Sequence, residues 1–235
     1  VNIREAEAKV RSLLRGMQRP RKEQLAEVFF TLRADGYSVM MAKHDAEEAC
    51  AYLTQVGLAD MVLTDDSDAL TFGARSVIYN WCSQSTPPYI VDLAGLLKGL
   101  GFTQQQFQEL CMMAGCDFAD PLKGVGMLTG IRLMRKYGSL DGILREMQRA
   151  RAEFPALVAG WKGPKRACPR RPFLTVHNEK RGVDKREYLA PEEDIEAFTS
   201  SVQNARDVFE RVVPRYRKVL PPAWFAGTPV QPTAW

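Results

Sequence analysis

Apolar positions along the chain fall into blocks whose spacing switches between helical and extended. Ile3, Val10, Leu13, Leu14 and Met17 alternate with charge at helical spacing over 3–17, and Pro20 breaks the run. Leu25, Val28, Phe29 and Leu32 predict the inward stripe of a second helix over 21–34, closed by Asp35-Gly36. Tyr37–Ala42 reads as a short strand. Ala46, Ala49, Cys50 and Leu53 predict a helix over 45–56, ended by Gly57. A strand over 61–64, a short helix near 67–71 and a strand over 76–80 follow. Pro87-Pro88 punctuates, then come a strand over 89–91 and a helix over 92–99. Thr103 suits the N-cap of a helix over 104–114, which Gly115 stops. Lys123-Gly124-Val125-Gly126 is a glycine turn opening a helix over 127–137, and Gly138-Ser139 leads into a helix over 140–149. Residues 150–190, rich in Pro, Arg and Lys with little periodicity, read as a loop or weakly ordered insert. A last helix over about 203–213 precedes a Pro-rich tail containing Trp224 and Trp235.

Strands and helices alternate up to about residue 91. This order predicts an α/β fold, a mostly parallel sheet flanked by helices, with a helical region over 92–149. The 235 residues suffice for one large domain with an extension. The expected division is a domain over 1–149, with its sheet and acidic residues in 37–91, and a region over 150–235 of basic loop, helix and tail.

Hydrophobic residues make up 46% of the chain, enough for a real core, which excludes global disorder. Five Cys, an odd number without C-x-x-C, and only His44 and His177 argue against a disulfide framework and a zinc site. Cys50 and Cys111, set among apolar residues, read as buried thiols, and the pattern fits an intracellular reducing compartment. No apolar run reaches membrane-spanning length, and the charged amino end is not a secretory signal. The first residue is Val, so a processed chain or a fragment is expected.

Net charge is a modest +4, but it is unevenly distributed. Residues 44–92 hold 8 Asp/Glu against 1 Lys/Arg, and residues 145–187 hold 12 Lys/Arg against 5 Asp/Glu. An acidic focus beside a basic segment suits a polyanion handled by bound metal, although a solvated basic loop accounts for the second segment on charge alone. The densest acids are Asp65-Asp66-Ser67-Asp68, directly after the apolar run Met61-Val62-Leu63 and Thr64. This reads as a strand presenting carboxylates at its carboxyl end, where open parallel sheets build their sites. Three acids in four positions repel unless a cation neutralises them, and Mg²⁺ or Mn²⁺ prefers oxygen ligands.

Four segments in this order, Asp45-Ala46-Glu47-Glu48-Ala49-Cys50-Ala51, Thr64–Gly73, Leu110–Phe118 and Gly124-Val125-Gly126, resemble the flap endonuclease (XPG/Rad2-like) family of 5′ structure-specific nucleases. The likeness covers roughly 25–149, with a weaker echo to about 215. It implies a two-metal phosphodiesterase that cuts branched or flapped DNA in replication or repair, leaves a 5′-phosphate and resides in the nucleus or another DNA-containing compartment. Residues 1–36 would be arch-like helices. Asp66, Asp68 and Asp117 would serve one Mg²⁺, with Asp45 and Glu47 serving the other or holding its waters; Asp65 would be a helix-capping or supporting acid. A helix-turn-helix variant would grip the duplex through Lys123, Gly124, Val125 and Gly126, with K⁺ on main-chain carbonyls, and Arg132, Arg135 and Lys136 could touch phosphates. Each residue also has a plainer reading. Asp45 and Glu47 complement a helix dipole, Asp66 can cap, Asp117 can turn the chain, and the three cations can form a solvated face.

Departures from the family pattern accompany the likeness. The amino-terminal half that supplies two further aspartates and the first strands of the sheet is expected to be absent. Asp45 stands where the family has Glu. Met127-Leu128-Thr129-Gly130 replaces positions that usually include Lys or Arg, with Gly130 costing helix stability. These departures keep open a non-catalytic nucleic-acid-binding subunit, or a split nuclease completed by a partner chain. A phosphatase-like enzyme on a doubly wound sheet leaves the Gly-x-Gly turn unexplained.

Overall fold

The computed structural model describes residues 20–83, 85–122, 124–159, 173–178, 183–188 and 192–210. The helix expected over 3–17, Lys123 and the tail with Trp224 and Trp235 lie outside them. Residues 20–42 belong to one compact unit, and the described residues from 43 onward belong to another.

The first unit contains helix α1 (Lys22–Ala34), opened by a capping box in which the Gln24 side chain accepts from the Arg21 amide at 2.9 Å. Leu25, Val28 and Leu32 were expected to face inward but are exposed, and no residue of α1 is buried. An amphipathic stripe is covered only by a packing partner, and nothing among the described residues of this unit covers it. The strand expected over Tyr37–Ala42 is irregular backbone. A strand needs a neighbour for its amide and carbonyl groups, and among the described residues no strand pairs with this segment.

The second unit opens with α2 (Ala46–Gln55), β1 (Val62–Leu63), α3 (Asp68–Thr71), β2 (Ser76–Tyr79) and β3 (Tyr89–Asp92). It continues with α4 (Leu93–Leu100), α5 (Gln104–Ala114), α6 (Met127–Tyr137) and α7 (Leu140–Ala159). A hairpin of β4 (Phe173–Asn178) and β5 (Val183–Tyr188) precedes α8 (Glu192–Glu210). The sheet order is β1-β2-β3. β1 pairs parallel to β2, Val62 opposite Val77, but β2 and β3 are antiparallel, Ser76 opposite Asp92. The expected mostly parallel sheet is therefore a small mixed one. The stretch joining β2 to β3 contains no crossover helix, so the chain returns antiparallel.

Residues 150–190 also depart from the expected loop. α7 runs through residue 149 to Ala159, because Arg and Glu are good helix formers whatever their charge density. The basic composition also hid the antiparallel hairpin, in register from Phe173 opposite Tyr188 to Asn178 opposite Val183. α8 begins at Glu192, well before the expected 203.

The core lies around α5. Phe107, Leu110, Met112 and Met113 are buried together with Leu133 and Met134 of α6, Leu140, Ile143 and Met147 of α7, and Phe198, Val202 and Phe209 of α8. Gly130 has a packing role beyond its helix cost. A Cβ there would lie 2.7 Å from Leu110 Cδ1, so the glycine lets α6 approach α5 closely. Thr103 caps α5 as expected, its hydroxyl accepting from the Gln106 amide in a reciprocal capping box. Among the described residues, no helix is long and apolar enough to cross a membrane.

One buried charge ties three helices together. Glu109 is 4% exposed, and its Oε2 accepts from the Leu140 amide at 2.8 Å, at the positive end of α7. Its Oε1 lies 3.6 Å from Arg206 Nη2 on α8, which also meets Asp141 Oδ1 at 2.8 Å. Glu109→Ala is expected to destabilise the fold by roughly 3 kcal/mol, since it strands a buried partner. Glu109→Gln, which can still accept from Leu140, should cost only about 1 kcal/mol. Urea unfolding of the two variants tests that ranking.

Candidate active site

Two acids come from the start of α2. Asp45 is its N-cap, with Oδ1 accepting from the Glu47 amide at 3.0 Å. Glu47 Oε1 lies 3.5 Å from the Thr64 hydroxyl, at the carboxyl end of β1. That hydroxyl accepts from the Asp66 amide at 3.1 Å, and Asp66 Oδ1 accepts from the Asp68 amide at 2.9 Å. Thr64 thus couples the α2 acids to the acidic turn, a link that its position before Asp65 hinted at but did not establish. Asp65 turns away from this chain of contacts. Its Oδ1 accepts at 2.7 Å from the amide of Asn80, a non-glycine residue at φ 58°. It acts as a supporting acid and holds the end of β2 rather than capping a helix.

Asp117 arrives on a different element. α5 ends at Ala114, and Cys116 and Ala119 exchange backbone hydrogen bonds at 3.2 Å in each direction, with Asp117 and Phe118 between them. The Phe118 ring meets Phe72, just after α3, at 5.3 Å and Phe209 of α8 at 5.8 Å; Phe72 and Phe209 are 5.1 Å apart. This aromatic trio fastens the Asp117 turn to the segment carrying Asp66 and Asp68. Sequence reasoning had assigned no role to Phe118.

The five acids act on one another. Burial raises Asp68 above the ordinary carboxylate range; the Asp117 backbone opposes the shift, and the charges of Asp66, Asp117 and Asp45 add to it. Burial likewise raises Glu47, followed by its side-chain interaction with Asp45 and the charges of Asp45 and Asp66. Tyr79 is pushed up to about 12 by burial, by Tyr89 stacked 5.4 Å away, and by the charges of Asp66, Asp65 and Asp68. Burial also raises the thiols, Cys111 to about 11 and Cys50 and Cys116 upward, so they stay protonated at neutral pH.

Carboxylate oxygens that repel one another suit a hard divalent cation in donor type and in charge. Among the described residues, no group of three or more His, Cys, Asp or Glu is placed so that it could hold a metal ion. Asp45 also caps α2, whereas Asp66 does not cap α3, whose N-cap is Ser67; its Oδ1 accepts from the Asp68 amide in a local turn.

Of the residues read as a phosphate grip, Gly124, Val125 and Gly126 lie at the start of α6, Arg132 in its middle, and Arg135 and Lys136 in its last turn. Gly126 is its N-cap with no side-chain cap, Gly124 is exposed and Val125 is buried. Arg132 is half-buried; Arg135 and Lys136 are exposed. Arg135 also donates to the Leu100 carbonyl at 3.5 Å, and Lys136 Nζ lies 5.3 Å from the Tyr137 ring. Met127 and Leu128 expose apolar surface where cations were expected to be missing.

Residues 36–117 match the family model described as XPG I-region. Flap endonuclease 1 of Babesia bovis is 33% identical over 181 residues, 74% of this chain and 26% of that protein. Flap endonuclease 1 of Mycosarcoma maydis is 33% identical over 143 residues, 60% of this chain and 38% of its own length. The matched stretch thus spans well under half of these curated relatives. Among solved structures, the catalytic core of Rad2 in complex with DNA substrate superposes with a TM-score of 0.55 at 25% identity, covering 67% of this chain and 50% of that one.

A carboxyl group whose folded-state value is raised favours folding below the ordinary range, and that contribution is lost as pH rises through the raised value. Without divalent ions, parent and Asp68→Asn should therefore melt alike below the ordinary carboxylate range, about pH 4, and the Asn variant should become the more stable as pH rises above it. Mg²⁺ at neutral pH should stabilise the parent more than Asp68→Asn. Thermal melts across pH, with and without Mg²⁺, test both points; a constant gap between the two proteins would refute the electrostatic coupling.

Proposed function

We propose that the chain, which matches the XPG I-region model over residues 36–117 and is similar to flap endonuclease 1 and to the catalytic core of Rad2, carries the nuclease region of the XPG/Rad2-like flap endonuclease family and is a Mg²⁺- or Mn²⁺-dependent structure-specific nuclease of branched or flapped DNA, serving replication or repair. The observation that carries this reading is the chain of contacts from Asp45 and Glu47 through Thr64 to Asp66 and Asp68, with the Asp117 turn fastened to the same segment by the Phe72–Phe118 contact. Asp66, Asp68 and Asp117 would hold one ion, and Asp45 and Glu47 the second or its waters. Bound there, the two ions would neutralise the phosphodiester and stabilise the leaving oxygen. The chain's own residues set the charge and orientation of that site. Thr64 aligns Glu47 with the Asp66 turn, and the Phe72–Phe118–Phe209 contact fixes the Asp117 turn.

Duplex binding would fall to α5, α6 and the turn between them as a helix-turn-helix variant. The amides around Gly124, Val125 and Gly126 would meet a backbone phosphate at the helix start, with Lys123 beside them and K⁺ on nearby carbonyls. Arg132, Arg135 and Lys136 would add screened contacts, while Met127 and Leu128 weaken the grip relative to cations at those positions.

A second reading, a non-catalytic or split-nuclease subunit whose partner chain adds carboxylates, is favoured by the lack, among the described residues, of any group of three or more His, Cys, Asp or Glu that could hold a metal ion. Cleavage of an end-labelled 5′-flap duplex in Mg²⁺ separates the two. The parent is expected to cut and leave a 5′-phosphate. Asp66→Ala/Asp68→Ala should lose roughly three orders of magnitude in rate, about 4 kcal/mol of barrier. Structure-dependent binding by the parent without cleavage would favour the second reading.

A further inference from the structure

We propose that Gln55, Gln104 and Gln108 are positioning residues for the acidic cluster, forming a neutral amide clamp that fixes α3 against the two helices leading to the other acids. Its consequence for metal and rate rests on the nuclease reading; the clamp itself does not.

α3 is a single turn of four residues, too short to persist by its own hydrogen bonding. It does close internally. The Phe72 amide donates to Asp68 O at 2.8 Å, Gly73 to Leu70 O at 3.0 Å and Ala74 to Ala69 O at 2.9 Å. Its last carbonyls are then taken by side chains. Gln104 Nε2 donates to Leu70 O at 3.3 Å and Thr71 O at 3.0 Å, and Gln108 Nε2 donates to Thr71 O at 3.0 Å. Gln55 Nε2 donates to Phe72 O at 2.8 Å and Gly73 O at 3.1 Å. Leu70, Thr71, Phe72 and Ala74 are all buried, so a lost donor would leave carbonyls that water cannot readily satisfy.

The placement of the three amides gives the clamp its meaning. Gln55 is the last residue of α2, whose first turn carries Glu47 beside the Asp45 cap. Gln104 and Gln108 lie one turn apart on α5, which leads through Gly115 to Asp117. α3, whose first residue is Asp68, is thus bonded through neutral amides to both other acid-bearing elements. Arg75 steadies the same joint, donating from Nη2 to Gln55 O at 2.8 Å and from its amide to Thr54 Oγ1 at 3.1 Å. Gly73, at φ 92°, makes room for the clamp. A Cβ there would lie 2.7 Å from Gln55 Nε2.

The chemistry favours glutamine. Lysine or arginine could bind the same carbonyls, but would bring a positive charge that competes with a cation for the carboxylates. Glutamate would set acceptor against acceptor and add to the repulsion. Gln104 Oε1 is buried with no hydrogen-bond partner among the described residues, so this side chain leaves its acceptor unsatisfied while its amide nitrogen meets α3.

Gln104→Met/Gln108→Met removes the α5 donors at nearly constant volume. In the metal-free protein, amide exchange over 66–75 should rise by about tenfold. Mn²⁺ affinity should fall by about tenfold, and kcat on a flap duplex by roughly 10²-fold with KM for DNA unchanged, the signature of displaced rather than deleted ligands. If the double variant fails to fold, Gln108→Met, which removes one bond, should give smaller shifts of the same sign. Unchanged exchange over 66–75 in a folded variant would overturn the clamp. Increased exchange with unchanged Mn²⁺ affinity would overturn its role in positioning the ligands. A parent that binds no Mn²⁺ would refute the metal reading and with it that role, while the exchange comparison would still decide whether the clamp exists.

Discussion

Like charges gathered at the ends of three elements push those elements apart, and the repulsion grows as surrounding atoms exclude water. At an effective dielectric of about 20, two carboxylates roughly 6 Å apart repel by nearly 3 kcal/mol. The described part of the second unit withstands that force without a lysine or arginine ion-paired to these acids. Among the described residues, no lysine or arginine forms an ion pair with Asp45, Glu47, Asp66, Asp68 or Asp117. Restraint comes from uncharged contacts: the Thr64 hydroxyl, the Phe72–Phe118–Phe209 contact and the amide groups gripping the end of α3.

Acids elsewhere in the unit are handled differently. Glu109 meets Arg206 and a helix amino terminus, Asp141 meets Arg206, and Asp92 caps α4 by accepting from the Gly95 amide at 2.7 Å. Asp65, although adjacent in sequence to the cluster, is committed to the Asn80 amide. Two populations of carboxylate therefore exist in one unit. One is satisfied by the fold. The other meets no lysine or arginine in an ion pair among the described residues; burial raises Glu47 and Asp68, and the neighbouring carboxylates add to the shift.

The acids themselves were legible because their type, spacing and flanking residues are written locally. Helices α2, α5 and α6 were legible for the same reason, since caps and apolar periodicity lie within a few residues. What could not be read depended on distant partners. The Leu25–Leu32 stripe looked buried because periodicity reports an apolar face, not whether something covers it. Residues 37–42 had strand-like composition but, among the described residues, no strand to pair with. The β4–β5 hairpin was masked by its charge, and the direction of β3 was set by a connection with no helix in it. The same limit applies within the site. Asp66 and Asp117 are local signals, whereas Gln104 contacts Thr71 across 33 residues of sequence. Glutamine on a helix gives no local indication that its amide closes a distant turn.

The Tyr79 phenol is buried, has no hydrogen-bond partner among the described residues and lies within the field of Asp65, Asp66 and Asp68. Part of the reason it titrates near 12 is that field. A cation settling among the carboxylates would cancel some of it and make the phenolate easier to form, without touching the ring. The acidity of a phenol that binds no ligand thus depends on whether the acidic cluster is occupied, even in a chain that cuts nothing.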